Sequence, residues 1–317
     1  MPDAEVTGVR VLRSLRTEVS RITFLEVSLG GNEAPMRMVF KAALPGQRSF
    51  DAMRTEMRFY VNLAPRFPGE GLVRFLGRGV HGQMPFLLLE DLSGDFTSTT
   101  AFEALPAEHC GAAVDLLARI HACWRGRVGA PKVQSLEAVV ARIRNRNARF
   151  AQALGDALGD DLRKAWDTVF RSGGRPWVPL MDAGNMTLTH GDAHSGNFLY
   201  PRTPEGQGVR LIDWQYWTLD MGVRDLSFLM ALHWPSDARA RLERTLLERY
   251  HQRLVEEGVR DYPWETCWRE YRLAAARNLF VADAQWARGR PRQGWMPLLR
   301  NALAAFRDLD CAELLKP

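Results

Sequence analysis

Cysteine is scarce in this sequence: Cys110, Cys123, Cys267 and Cys311 are the only four among 317 residues. No two form a CxxC pair, and no cysteine and histidine cluster keeps zinc-finger spacing, so neither a disulfide framework nor a structural zinc site is expected. Cys110 and Cys123 fall on one helical pattern, where a rise of about 1.5 Å per residue sets them roughly 20 Å apart, beyond disulfide reach. Long apolar runs are missing too. None approaches the length that crosses a bilayer, and the stretch from Met1 to Ser20 intersperses Asp3, Glu5, Arg10, Arg13 and Arg16 instead of building a secretory core. A protein working in the cytoplasm and away from membranes is the expectation. Repeats and low-complexity segments are also lacking.

Basic residues outnumber acidic ones, 42 to 37, for a net charge of +5 and a pI near 9.2. Clustering is what this excess lacks. Arg239, Arg241, Glu243, Arg244, Glu248 and Arg249 mix both signs along one helical stretch, the pattern of a solvated face. The strongest basic patches, Arg142 to Arg149 and Arg288 to Arg292, are short. A phosphate backbone needs a continuous basic surface, so nucleic acid is not the expected partner, whereas a nucleoside triphosphate would tolerate local positive charge.

With 46% hydrophobic and 25% charged residues the chain has the usage of a globular protein. Strand character runs through Val9 to Leu15, Ile22 to Leu29, Met36 to Ala42, Val73 to Val80 and Phe86 to Leu89. Gly30-Gly31-Asn32 fits a hairpin turn between the second and third of these. Between Ser49 and Leu63 the period turns helical, with Phe50, Met53 and Met57 on one face and Pro65 and Pro68 closing it. From Pro106 onward helices dominate: Pro106 to Trp124, Leu136 to Leu154, Ala238 to Glu257, Trp264 to Trp286 and Trp295 to Leu309. The expected fold is α+β, a small N-terminal antiparallel sheet with one helix (1–92) and a larger, mainly helical C-terminal lobe (93–317).

One stretch interrupts the helical half. Thr189-His190-Gly191-Asp192-Ala193-His194-Ser195-Gly196-Asn197 is followed, after a short hairpin, by Leu211-Ile212-Asp213-Trp214, which together offer two carboxylates and an amide. Phosphoryl transfer asks little covalent chemistry of a protein; it needs an acceptor hydroxyl in line and metal ions on the polyphosphate. Oxygen ligands suit magnesium. An aspartate five residues before an asparagine on one loop, then a second aspartate at a strand end, reproduces the protein-kinase HRDxxxxN and DFG logic.

HGDAHSGN with the later IDWQ resembles the aminoglycoside phosphotransferase and choline kinase superfamily. Its HGDxHxGN and DWQ forms are most similar to the ecdysteroid-kinase-like branch. The resemblance implies a two-lobed protein-kinase-like fold, ATP (with GTP possible) and Mg2+ as cofactors, and a small-molecule hydroxyl as phosphate acceptor. It implies Asp192 as the catalytic base or hydroxyl-orienting residue, Asn197 and Asp213 as magnesium ligands, and Asp225 as a brace for the loop backbone. His190 and His194 would shape the loop. Lys41, ending the third strand, would hold the α- and β-phosphates, and Glu56 would hold Lys41. Glu90 to Leu92 matches the hinge whose backbone faces adenine. The loop between the first two strands departs from the protein-kinase GxGxxG, because 16–21 holds no glycine; Thr17 and Ser20 are its candidate substitutes.

Each of these residues has a plainer reading. Lys41 and Glu56 fit a strand end and a helix surface, Asp192, Asn197 and Asp213 fit turns, Asp225 fits the first turn of a helix, and the tryptophans fit a core. Their joint order favours the kinase reading. A pseudokinase or nucleotide-binding module is the alternative from another class. A protein kinase is a third, though Trp214 to Arg224 is too short for its activation segment.

Overall fold

The computed structural model describes residues 5–30, 34–127, 136–157, 159–177, 186–203 and 208–316. The expected Gly30-Gly31-Asn32 turn falls largely outside them. The chain divides into two compact units, one of 1–98 with 199–217, the other of 99–198 with 218–317. This differs from a single crossing at residue 92, because the segment carrying Asp213 returns to the first unit.

In the first unit, strands β1 (Val6–Arg16), β2 (Ser20–Leu29) and β3 (Met36–Ala43) are followed by helix α1 (Gln47–Arg58), then β4 (Phe75–His81) and β5 (Met84–Glu90). The five strands form one antiparallel sheet in the order β1-β2-β3-β5-β4. Gly46, at φ 126, turns the chain into α1 in a conformation that glycine adopts without strain. Ser49, Ala52, Met53, Glu56 and Met57 then form the buried stripe of α1, a helical period that brings a glutamate inward among apolar neighbours. The helix widens to π geometry over Phe59–Leu63 and tightens at Ala64–Arg66. A short strand β6 (Phe96–Thr97) completes the first pass through this unit.

The second unit begins with α2 (Ala107–Trp124), α3 (Leu136–Leu154), α4 (Asp160–Arg171) and β7 (Met186–Thr189). The chain then passes through β8 (Phe198–Pro201) and β9 (Arg210–Leu211), which make a three-stranded sheet with β6. After β10 (Thr218–Met221), the antiparallel partner of β7, come α5 (Val223–Leu226), α6 (Ser236–Glu256), α7 (Trp264–Arg277), α8 (Val281–Ala287) and α9 (Arg292–Asp308). A π-helical turn continues α5 through Ser227–His233. Leu117, Leu188, Leu226, Met230, Leu247, Leu273 and Ala302 are buried in this unit. The stretch expected as one helix from Trp264 to Trp286 breaks at Asn278–Phe280, a 3-10 turn.

Cys110, Cys123, Cys267 and Cys311 form no disulfide. Burial pushes the Cys110 thiol up to about 11 and those of Cys267 and Cys311 to about 12, so these three are unreactive at neutral pH. Among the described residues no helix is long and apolar enough to cross a membrane.

What positions the returning segment is aromatic. Trp214, fully buried, stacks on Phe59 with ring centroids 3.8 Å apart and planes 5° from parallel. Its indole N–H donates to Leu211 O at 3.1 Å, and the Trp217 indole donates to Thr55 O at 2.9 Å. Replacing Trp214 by alanine is expected to cost about 3–5 kcal/mol, read as a lower urea midpoint. Trp214→Phe, which retains a ring to stack, should recover part of it.

Candidate active site

In the first unit a cation is enclosed by two acids. Lys41 lies on β3 opposite Ile22 and Leu87 of the flanking strands, and is 5% exposed. Its Nζ donates to Glu56 Oε2 at 2.6 Å and also to Asp213 Oδ1. The other Asp213 oxygen accepts from Gln215 Nε2 at 3.1 Å. Burial opposes charge on Lys41, but the two carboxylates prevail and raise its pKa. One ammonium between two acids leaves a surplus negative charge. Burial, offset by Lys41 and reinforced by Asp213, pushes Glu56 from its ordinary 4.5 up to about 7. Asp213 itself is the more open acid, its side chain 28% exposed, on a backbone at φ 70.

Glu90 and Leu92 lie at the end of β5. Glu90 Oε1 accepts from the Arg74 amide at 2.6 Å, and Leu92 O accepts from the Phe96 amide at 2.9 Å. Thr17 closes the β1–β2 turn on itself: its Oγ1 accepts from the amides of Val19 at 3.3 Å and Ser20 at 3.0 Å. Ser20 is buried.

The second unit holds the other predicted residues on one loop after β7. Asp225, fully buried, accepts from the His190 amide at 2.6 Å and the Gly191 amide at 3.0 Å. Burial alone would raise this acid, yet hydrogen bonds from His121 and the His190 amide hold it below its ordinary value. Gly191 turns the chain at φ 78. Asn197 Nδ2 donates to Asp192 O at 2.9 Å, which engages the amide by its nitrogen and turns its carbonyl oxygen the other way. His194 Nε2 stands 3.9 Å from Asp192 Oδ2, and the Asp192 side chain is 24% exposed. Gly196 sits where a side chain would meet the His194 ring and Thr99 O, both at 3.3 Å.

The structure thus gathers Lys41, Glu56 and Asp213 in one unit and Asp192, Asn197, His190, His194 and Asp225 in the other. Sequence reasoning missed Gln215, Trp214 and Trp217 as the residues that set Asp213, and His121 as a partner of Asp225. The WQYW run directly after Asp213 was the available signal for the first three. Among the described residues no three His, Cys, Asp or Glu side chains form a metal-holding group. The oxygens of Asp213 and Asn197, a carboxylate and an amide, are the donors that a hard cation prefers, and the Lys41 ammonium matches a phosphate.

A profile of the phosphotransferase enzyme family matches residues 20–266. No curated protein matches the chain. Among solved structures, the aminopropanol kinase associated with a microcompartment is 12% identical, with TM-score 0.61 over 98% of this chain and 94% of that one. The GDP complex of wild-type aminoglycoside 2'-phosphotransferase-IIIa is 14% identical, TM-score 0.58, over 98% and 95%. Macrolide 2'-phosphotransferase from Brachybacterium faecium is 17% identical, TM-score 0.53, over 100% and 95%. At these identities the likeness is one of fold.

The raised Glu56 pKa has a stability consequence. A carboxyl that binds its proton more tightly when folded favours the folded state below about 4.5, and that advantage is lost as pH rises to about 7. Wild type should therefore lose stability relative to Glu56→Gln across this window, with a slope of up to about 1.4 kcal/mol per pH unit, measured by urea unfolding at stepped pH. Parallel curves would refute the shift.

Proposed function

The chain belongs to the phosphotransferase enzyme family, and we propose that it transfers the γ-phosphate of ATP, with Mg2+, to a hydroxyl of a small neutral molecule. The observation that carries the reading is the buried ammonium of Lys41 set between Glu56 and Asp213. A plain strand-end lysine does not need two acids around it. Bound magnesium would screen the polyphosphate charge, with Asp213 and Asn197 as its protein ligands. Lys41 binds the α- and β-phosphate oxygens, and Glu56 keeps it aimed. The backbone of Glu90 to Leu92 meets the base. Asp192 orients the acceptor hydroxyl and takes its proton as the oxygen bonds to the γ-phosphorus and the bond to the β-phosphate oxygen breaks, releasing ADP. His190 and His194 shape the loop that carries Asp192, and Asp225 braces it. The lobes of the expected division, 1–92 and 93–317, correspond in this reading to nucleotide binding and to acceptor chemistry.

What adjoins Asp192 supports the choice of a neutral acceptor. The His194 ring lies 5.4 Å from that of His233, which in turn contacts Phe228 at 4.7 Å and Phe102 at 5.8 Å. Burial, aided by His194, pushes His233 down to about 3 and keeps it uncharged. Arg224 lies over Phe228 and hydrogen-bonds the neutral Asn278 amide at 2.5 Å. An aromatic neighbourhood beside an arginine disfavours a polycation such as an aminoglycoside. It suits an apolar alcohol of the steroid or polyketide kind, in keeping with the ecdysteroid-kinase-like form of the loop motif. A nucleotide-binding module without turnover is the second reading, favoured by the glycine-free turn that Thr17 closes on itself.

Thermal shift with Mg-ATP and Mg-GTP, followed by ADP release across a panel of hydroxyl compounds, tests the proposal. A nucleotide-dependent rise in Tm and turnover on neutral alcohols are expected. Asp192→Ala should lower kcat about 100- to 10,000-fold and leave the nucleotide shift intact. A shift without turnover on any acceptor would favour the binding module; unchanged kcat in Asp192→Ala would reject the assigned base.

A further inference from the structure

Two of the donors to Asp225 come from the catalytic loop; a third comes from elsewhere. His121, on the inner face of α2 and 1% exposed, stands with Nε2 at 3.2 Å from Asp225 Oδ2. Its other nitrogen, Nδ1, lies 2.9 Å from the hydroxyl of Tyr250 on α6, itself buried. Burial raises the Tyr250 pKa well above 10, so this phenol remains protonated. A carboxylate only accepts, so the ring proton belongs on Nε2, the atom facing Asp225, which leaves Nδ1 to meet the Tyr250 hydroxyl.

The pair has no room to move. A Cβ at Gly222, three residues before Asp225, would come within 2.3 Å of the Tyr250 oxygen and 2.8 Å of His121 Nδ1. Thr187 on β7 donates from Oγ1 to the His121 carbonyl at 2.7 Å, tying α2 to the strand that leads into the loop. A buried polar network whose members are all satisfied rigidifies what it holds.

We propose that His121, backed by Tyr250, is a positioning residue for the phosphoryl transfer: it fixes the Asp225 carboxylate that carries the loop of Asp192. The proposal rests on the phosphotransfer reading above. Its mechanism is geometric, since displacement of a reacting group by about 1 Å costs on the order of 100-fold in rate.

Two substitutions divide the ring between its nitrogens. Glutamine presents its amide nitrogen near the position of Nε2, and asparagine presents a polar atom near that of Nδ1. His121→Asn should lower kcat by roughly 100-fold with KM for ATP unchanged, and should speed hydrogen exchange at the amides of His190 and Gly191. His121→Gln should restore both to within a few-fold of wild type. Equal behaviour of the two variants in both readouts overturns the proposal, because a purely structural histidine would not distinguish them. Tyr250→Phe, which keeps the ring packing and loses only the hydroxyl, serves where His121→Asn fails to fold: a smaller fall in kcat with faster exchange is expected, and wild-type values in both would overturn the relay. If the wild-type chain turns over no hydroxyl compound, the reaction assignment falls, while exchange at residues 190 and 191 still decides whether His121 holds the loop.

Discussion

A single carboxylate, kept charged where water does not reach, sets the loop on which the proposed chemistry depends. Removing an ion from water costs several kcal/mol even after the protein relaxes, so Asp225 is tolerable only because donors surround it. Two are backbone amides of the loop itself, His190 and Gly191. The loop is thus held by the same bonds that make the buried charge affordable. A neutral residue at position 225 would leave both amides without an acceptor, and the Gly191 turn at φ 78 would lose its anchor. The Asp192 carboxylate itself is spared this work. It stays partly exposed while its backbone carbonyl receives Asn197.

Lys41 poses the opposite electrostatic problem. One buried ammonium faces two acids, so the cluster carries excess negative charge rather than balance. Glu56, on the buried stripe of α1, answers that excess by holding its proton up to about 7, whereas Asp213 is partly open. The more open acid is the one a cation would meet. The Trp214–Phe59 stack and the Trp217 bond to Thr55 clamp the segment after Asp213 onto the same helix that supplies Glu56. One helix therefore carries one acid and the mounting of the other.

Much of the first sheet was legible because its strands are long and bounded by turn residues: β2 and β3 match the apolar runs Ile22 to Leu29 and Met36 to Ala42 closely. α1 was legible from its period. The two-residue strand β6 carries too little pattern to read, and α4 did not stand out from its surroundings. The break at Asn278–Phe280 was hidden because apolar residues continue through it. The candidate site residues were more visible than their supports. Asp192, Asn197 and Asp213 announce themselves by spacing along one short stretch. His121 and Tyr250 lie far from Asp225 in sequence and look like ordinary residues of amphipathic helices, and only the fold brings them to it. The segment 199–217 was assigned by position to the C-terminal half, yet Trp214 packs on Phe59; a long-range aromatic stack leaves no local signature.

The glycine-free turn between β1 and β2 then acquires a physical meaning. Glycines in such a loop allow the backbone to approach phosphate and leave its amides free to donate. Here Thr17 Oγ1 takes the amides of Val19 and Ser20, so those donors are already engaged within the turn. In the proposed reading, a loop that donates less to a triphosphate shifts the work of holding it onto point charges: the Lys41 ammonium, and a divalent cation with oxygen ligands. Charge attraction of this kind is less directional than a cradle of amides, so aim must come from elsewhere. Glu56 supplies it on the lysine side through a 2.6 Å bond from a rigid helix face, and the Trp214 stack supplies it on the Asp213 side. The Lys41, Glu56 and Asp213 cluster and its aromatic mounting then supply aim that the turn does not.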